Sequence, residues 1–360
     1  MTENAETTSP DVPLYASDMD DSAEIVLLKD NASAHRLLSL LIHCAHVIEP
    51  SFKKADGEVS RRRDLYLSFA RWAAWLGASA VLFAIGQLSN LTSNNWVERR
   101  MFPTLEFSLA AAAVLVALVG LGGTVQEKWF VARYRAERLR HLKFDFLLRP
   151  VLWSGDEEAA EDCRQGLDAE VKMIVASEFA NVESWMLQGT VPQVAAAARL
   201  PEEEWTVFRD YYRNKRLAGQ IDYLAGAKER NSELNNRSRT WPTVLFFGSI
   251  AFVLAHFCVD LVNWRTGSGP DDLVGKVALM VAAGLPVCGA GIRVFRGVFE
   301  YGRNAARSTA THGVLLDLSE RLRRANGSSE VFREISFCEQ VMEADLREYL
   351  RLMVSAEWFG

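Results

Sequence analysis

The apolar residues of this chain gather into four runs, separated by long stretches rich in charge. The runs are about Trp72–Leu88, Phe107–Val125, Pro242–Val259 and Val277–Ile292, the last widening to Leu273–Val294 where Lys276 and Arg293 snorkel. A helix needs about 20 residues to cross the hydrocarbon core of a bilayer. The second and third runs meet that length alone. The first and fourth draw on flanking basic side chains and interfacial aromatics. Trp72, Trp96, Trp241 and Trp264 stand near run ends, where such rings favour the membrane boundary. Polar connections, Ser89–Glu106 and Asn263–Lys276, join the runs in pairs. The pattern predicts four spans in two helical hairpins.

The charged stretches read as helices. The second run continues without a breaker into Gln126–Leu148, and Pro150 ends it. The acidic stretch Asp156–Asp162 opens a helix reaching about Leu187, with Gly189 and Pro192 as breakers. Glu202–Glu204 suit a helix start by the helix dipole. That helix leads toward the third run, and Pro242 is expected to end or kink it. The fourth run continues into Arg293–Arg324, Asn326–Ser329 turns, and an amphipathic helix fills Glu330–Trp358. Ala23–Leu28 is a candidate short strand, followed by an apolar helix at His35–Ile48.

Basic residues set the expected orientation. Arg61, Arg62, Arg63 and Arg71 precede the first run, and Lys128, Arg133, Arg135, Arg138 and Arg140 follow the second. Arg230, Arg237 and Arg239 precede the third, and Arg293, Arg296, Arg303 and Arg307 follow the fourth. The loops hold only Arg99, Arg100, Arg265 and Lys276. The positive-inside rule then puts both termini and the central segment in the cytoplasm. The hairpins face the same way, as parallel repeats, unlike the inverted repeats of many transporters. The expected fold class is an all-α membrane protein, with two parallel-repeat transmembrane hairpins and long cytoplasmic helical extensions. Its divisions are a disordered tail (1–22), an N-terminal cytoplasmic segment (23–60), a first hairpin with its cytoplasmic helix (61–150), a helical linker (151–200) and a second hairpin with its helices (201–360).

Composition adds exclusions. The 360 residues carry a net charge of −6, with no dense basic tract interleaved with aromatics, so nucleic acid is not an expected partner. Residues 1–24 lack the basic and apolar regions of an export signal, so the spans themselves direct insertion. The five cysteines are dispersed and form no C-x-x-C. His43 and His46 share a helix face but lack further ligands, so no metal or other cofactor is expected. There is no P-loop, G-x-G-x-x-G after a strand, G-x-S-x-G or H-E-x-x-H, so no enzyme is expected.

Several strings, in order, resemble a known group. Pro50–Asp56 (PSFKKAD) precedes the first run, and Trp129 with Tyr134–Arg140 (YRAERLR) follows the second. Gln220-Ile221-x-Tyr223, Ala227-Lys228, Arg230 and Arg237–Trp241 precede the third run. Gly291-Ile292-Arg293, Phe299-Glu300 and Arg307-Ser308 follow the fourth, and Val341-Met342-Glu343 with Leu346 comes late. Over about residues 50–355 the chain resembles two tandem copies of the SMODS- and SLOG-associating two-transmembrane effector (SLATT) family of bacterial conflict systems. The resemblance implies a pore-forming antiviral-defence effector of the inner membrane. Such an effector oligomerises and disrupts the bilayer when a partner signals. Relatives often carry an N-terminal sensing domain. The roughly 45 residues before the match are too few for one, so a nucleotide-signal sensor or synthase is expected as a separate protein. A constitutive channel or transporter and a membrane-anchored scaffold are the alternative readings.

Candidate residues follow. His256 and Asp260 lie four apart on one face of the third run; they either line a pore or partner, or sit at the outer interface near Trp264. Pro286, between Gly284 and Gly289, is a kink that is either a gate or a static bend. Small residues at Ala74, Ala78, Ala112, Ala278, Ala282 and Ala290 permit close helix approach, within one subunit or between copies of a homo-oligomer. Arg133, Arg135, Arg138 and Arg140 form a belt read as a solvated face for anionic lipid or a protein partner.

Overall fold

A computed structural model describes residues 18–90, 96–121, 124–188, 199–266 and 272–355. The fold is all-helical, with no strand among the described residues. The helices are α1 (Ser22–Leu28), α2 (His35–Val47), α3 (Glu49–Asn90), α4 (Trp96–Leu121), α5 (Thr124–Leu147), α6 (Glu157–Val175), α7 (Phe179–Leu187), α8 (Glu202–Tyr212), α9 (Ala218–Thr266), α10 (Asp272–Phe299), α11 (Tyr301–Arg324) and α12 (Ser328–Ser355). Three helical stretches are long and apolar enough to cross a membrane: Glu49–Gln87, Pro103–Leu147 and Glu202–Val259. Val277–Arg293 is apolar but shorter.

Three local expectations are corrected, and of the two alternatives at Pro242, an end or a kink, the end is excluded. Residues Ser22–Leu28 are helical, not a strand. A six-residue strand needs a partner edge for its backbone groups, and the described residues supply none. A helix satisfies its own. The segment expected as one helix from Asp156 to Leu187 is two. Arg135 donates to the Ser177 carbonyl at 2.6 and 3.2 Å, and a capping box between Glu178 and Asn181 starts α7. Pro242 does not end its helix, because α9 runs through it. Proline deletes one backbone bond, and the ladder resumes beyond it; the Thr243 hydroxyl adds a bond to the Arg239 carbonyl at 3.2 Å. The helix following the fourth run breaks at Glu300, the one non-glycine residue with positive φ (46°) among the described residues. Asn304 Nδ2 caps the break by donating to the Phe299 carbonyl at 3.1 Å.

The chain forms two compact units. Unit 1 comprises Met1–Val59, Phe130–Glu229 and Ala306–Leu350. Its central helix is α5, where Phe130, Ala132, Leu139, Phe144, Phe146 and Leu147 are all buried. Apolar residues occur on every side of α5, so it needs neighbours all round. α12 supplies Phe332, Ile335, Cys338 and Met342, and Trp153, Phe208 and Phe332 meet with ring centroids 5.4–6.2 Å apart.

Unit 2 comprises Ser60–Trp129, Arg230–Ala305 and Arg351–Gly360. Here α10 packs against α9 and α3. A Cβ on Gly289 would stand 3.4 Å from Pro242 Cα, and one on Gly284 only 3.0 Å from Leu82 Cδ2. Glycine permits both approaches. The Ser249 hydroxyl donates to the Ala282 carbonyl at 2.6 Å, buried between the helices. The outer faces are apolar and open. Phe107, Leu118, Phe247 and Phe257 are each more than 60% exposed.

Candidate functional site

The largest concentration of chemistry lies inside unit 1. Four carboxylates (Asp18, Asp21, Glu137, Glu339) meet three basic side chains (Arg140, Lys143, Arg216) and His141, all buried. They come from four separate stretches of sequence. Asp18 and Asp21 come from the segment leading into α1. Glu137, Arg140, His141 and Lys143 lie along α5, and Glu339 lies on α12. Arg216 sits in a π-helical turn, Arg213–Leu217, between α8 and α9. Such a turn widens the helix by one residue and recurs at functional positions.

Arg216 is the hub. It donates from Nη1 to Asp18 Oδ2 at 2.6 Å and forks onto Glu339 from Nε (3.1 Å) and Nη2 (3.2 Å). A guanidinium fits a carboxylate in this two-pronged way. Arg140 bridges Asp18 (3.1 Å) and Glu137 (2.8 Å), and Arg133 reaches Glu137 at 2.8 Å. Lys143 pairs with Asp21 at 2.8 Å and donates to the Asp18 carbonyl at 2.6 Å. His141 Nδ1 lies 2.7 Å from Glu339 Oε2. Tyr212 donates to Glu339 (2.9 Å) and Tyr211 to Asp21 (2.8 Å). Aromatic faces cover the cations: Arg216 lies 5.0 Å from the Phe144 ring centre and Arg140 5.1 Å from that of Phe52.

Burial and pairing pull the acids in opposite directions. Burial alone would raise Glu137, but Arg133 and Arg140 outweigh it and hold its carboxyl down at about 2. Glu339 behaves likewise: burial opposes, Arg216 and His141 prevail, and it sits at about 2. At Asp21 burial wins over Lys143 and raises the carboxyl. Burial opposes the charge on Arg216, yet Glu339 and Asp18 hold it even more firmly. A half-buried second layer joins α5, α7 and α12: Glu343 accepts from Arg138 (3.0 Å), Arg347 (2.9 Å) and Trp185 Nε1 (3.1 Å).

The cluster holds its charges away from any substrate: Arg140, Lys143 and Arg216 have side chains only 1% exposed. Its thiol neighbours are held protonated, since burial pushes Cys44 up to about 12 and Cys338 higher still. The arrangement can act as a lock. Closed, every charge is paired; opened, each must reach water or remain buried alone, at several kcal/mol per ion.

The residues singled out from sequence lie elsewhere, or in other roles. The belt Arg133–Arg140 is corrected: Arg140 is not on a surface but inside the lock. Arg133, Arg135 and Arg138 are half-buried on Glu137, the Ser177 carbonyl and Glu343. Arginine at helical spacing is read as a solvated face unless the apolar residues between the arginines are weighed. In α5 they surround the helix, which forces the charges inward. His256 is half-buried on α9, and the side chain of Asp260 lies outside the described residues. Pro286 is exposed on α10, which continues to Phe299. Ala282 packs within the chain, Ala74, Ala78, Ala112 and Ala278 are half-buried, and Ala290 is exposed. Asp18, Asp21, Lys143, Arg216 and Glu339 carried no motif. Their only sequence signal is charge set among aromatics in α5, α8 and α12.

Comparison with protein-family models, with curated proteins and with solved structures finds no match to this chain.

Proposed function

We propose that this chain is a membrane effector: it inserts in the inner membrane as two same-facing hairpins, oligomerises, and permeabilises the bilayer when a partner sensor signals to its cytoplasmic helices. The observation carrying the membrane part is exposure. Only 17%, 6% and 6% of the most apolar stretches in Glu49–Gln87, Pro103–Leu147 and Glu202–Val259 is buried. Apolar surface of that extent needs lipid or other helices around it. The fourth span is the shorter stretch Val277–Arg293, helped across by its basic flank.

The effector part is supported by the likeness to two-transmembrane conflict-system effectors and by the lock. Several residues that carry the likeness are interior to unit 1: Glu137, Arg140, Gln220, Ala227, Ser308 and Met342 are buried there. A receiving module needs an element with two states that a partner can bias. An ion-paired core answers that need, and no catalytic step is involved.

Proteoliposomes containing an entrapped dye test the proposal. Release should be steep in protein density, as assembly requires, and should rise when a partner sensor and its signal are added. Dye retained at several copies per vesicle with sensor and signal present overturns the reading. Steady ion-selective current without them would make the chain a constitutive channel instead.

A further inference from the structure

Unit 2 contains a second concentration of charge that the lock does not use. A cleft of about 500 Å³ opens between α9 and α10, lined by Ser238, Arg239, Thr243, Arg293, Arg296 and Glu300. Its volume falls within the range usual for small-ligand pockets, about 300–1,000 Å³. Three guanidiniums face one carboxylate, leaving two net positive charges. Glu300 is half-committed elsewhere, since Arg303 stands 3.5 Å away. Among the described residues, no ion pair is seen for Arg239, Arg293 or Arg296. By contrast, Arg237 pairs with Glu233 one turn back on α9, and Arg307 with Asp345.

The fold builds this cleft. Gly289 brings α10 onto Pro242 at 3.4 Å, pinning the two helices just below it. Past that contact, Arg239, Arg293 and Arg296 line the cleft with Ser238, Thr243 and Gly297. The break at Glu300 (φ 46°) closes the far end. Like charges gathered in one cleft repel unless an anion joins them. Guanidiniums bind phosphate oxygens through paired N–H donors. The cleft also has a fixed level: it adjoins Trp241, 55% exposed, at the start of the apolar stretch Pro242–Val259. That is the depth of a lipid phosphate.

We infer that the Arg239–Arg293–Arg296 cleft binds a phosphate group, and that its level assigns this group to the headgroup of an anionic phospholipid. The lipid source rests on the membrane reading; the phosphate chemistry does not. The full chain in neutral detergent would be titrated with phosphatidylglycerol, and separately with inorganic pyrophosphate in the absence of lipid. Saturable phosphatidylglycerol binding is expected, weakened about fivefold for each charge removed and about 100-fold in the triple Arg→Gln variant. Arg293→Lys should keep most binding and controls for misfolding, and Arg237→Gln, of equal charge change outside the cleft, should keep it all. Cleft-dependent binding of pyrophosphate alone would retain the site but make its ligand soluble. Equal losses in Arg237→Gln and Arg293→Gln, or no loss in the triple variant, would overturn the site. Vesicle flotation separates the two readings: a chain that does not float yet binds pyrophosphate through the cleft loses the membrane and keeps the site.

Discussion

Unit 1 hides charge and unit 2 displays apolar surface. In unit 1, Arg140 and Arg216 are 1% exposed; in unit 2, Phe107 is 75% exposed. Each is the reverse of what a water-soluble domain does by default. The reversals have different causes. Unit 1 buries most of α5 from Phe130 onward, so the charges inside it survive burial only by pairing with one another. Unit 2 does not cover its own helices, so its surface is apolar. The first unit supplies its own solvation; the second needs it from outside. The same residue type therefore means different things in the two places. Arg140 and Arg216 are internal struts of unit 1, whereas Arg239, Arg293 and Arg296 line an open cleft of unit 2.

The sharpest way to break this contrast is at its hub. Arg216→Met leaves Asp18 and Glu339 buried without their shared cation and should destabilise unit 1 by about 3–5 kcal/mol. Limited proteolysis and near-ultraviolet circular dichroism in detergent would register the opening. Adding Glu339→Gln should recover part of the loss. A variant as stable as the parent would mean that water already reaches the cluster.

Acid gives a graded version. Glu137 and Glu339 have folded values near 2, below the ordinary 4.5. Their depressed values contribute stability that is fully present above about 4.5 and is lost as pH falls from there toward 2. Asp21, raised by burial, acts oppositely and softens the loss. Thermal melts across that window should therefore fall with acidity in the parent. The fall should be shallower in Glu339→Gln. A flat profile would remove the lock.

The smallest change sharpens the other side. Ser249→Ala removes the hydroxyl bond to the Ala282 carbonyl. Polar bonds between membrane helices average about 0.6 kcal/mol, because the separated helices also find partners. The expected loss in unit 2 is of that order, measured by denaturation in mixed micelles. A cost of several kcal/mol would mark this contact as part of a tightly buried core, against the lipid-facing account of unit 2.

What the sequence determined by itself is the helical class, the long apolar stretches and several helix boundaries. These depend on local periodicity, on caps such as Asp156 and on breakers such as Pro150, which act within a turn or two. Length and hydropathy likewise marked the helices able to cross a membrane. Short-range competition already escaped it: the Ser177 carbonyl was claimed by Arg135 from another helix, which split a segment that read as continuous. The lock was out of reach. Its carboxylates and cations lie up to 321 residues apart, from Asp18 to Glu339, and none has a spacing rule. Only the packing of α5, α12 and the π-turn decides that Arg140 points inward, because a charge's meaning depends on what surrounds it. The cleft follows the same logic. Sequence supplied Arg239, Arg293 and Arg296 as a topology signal, and the approach of Gly289 to Pro242 turned them into a shared site.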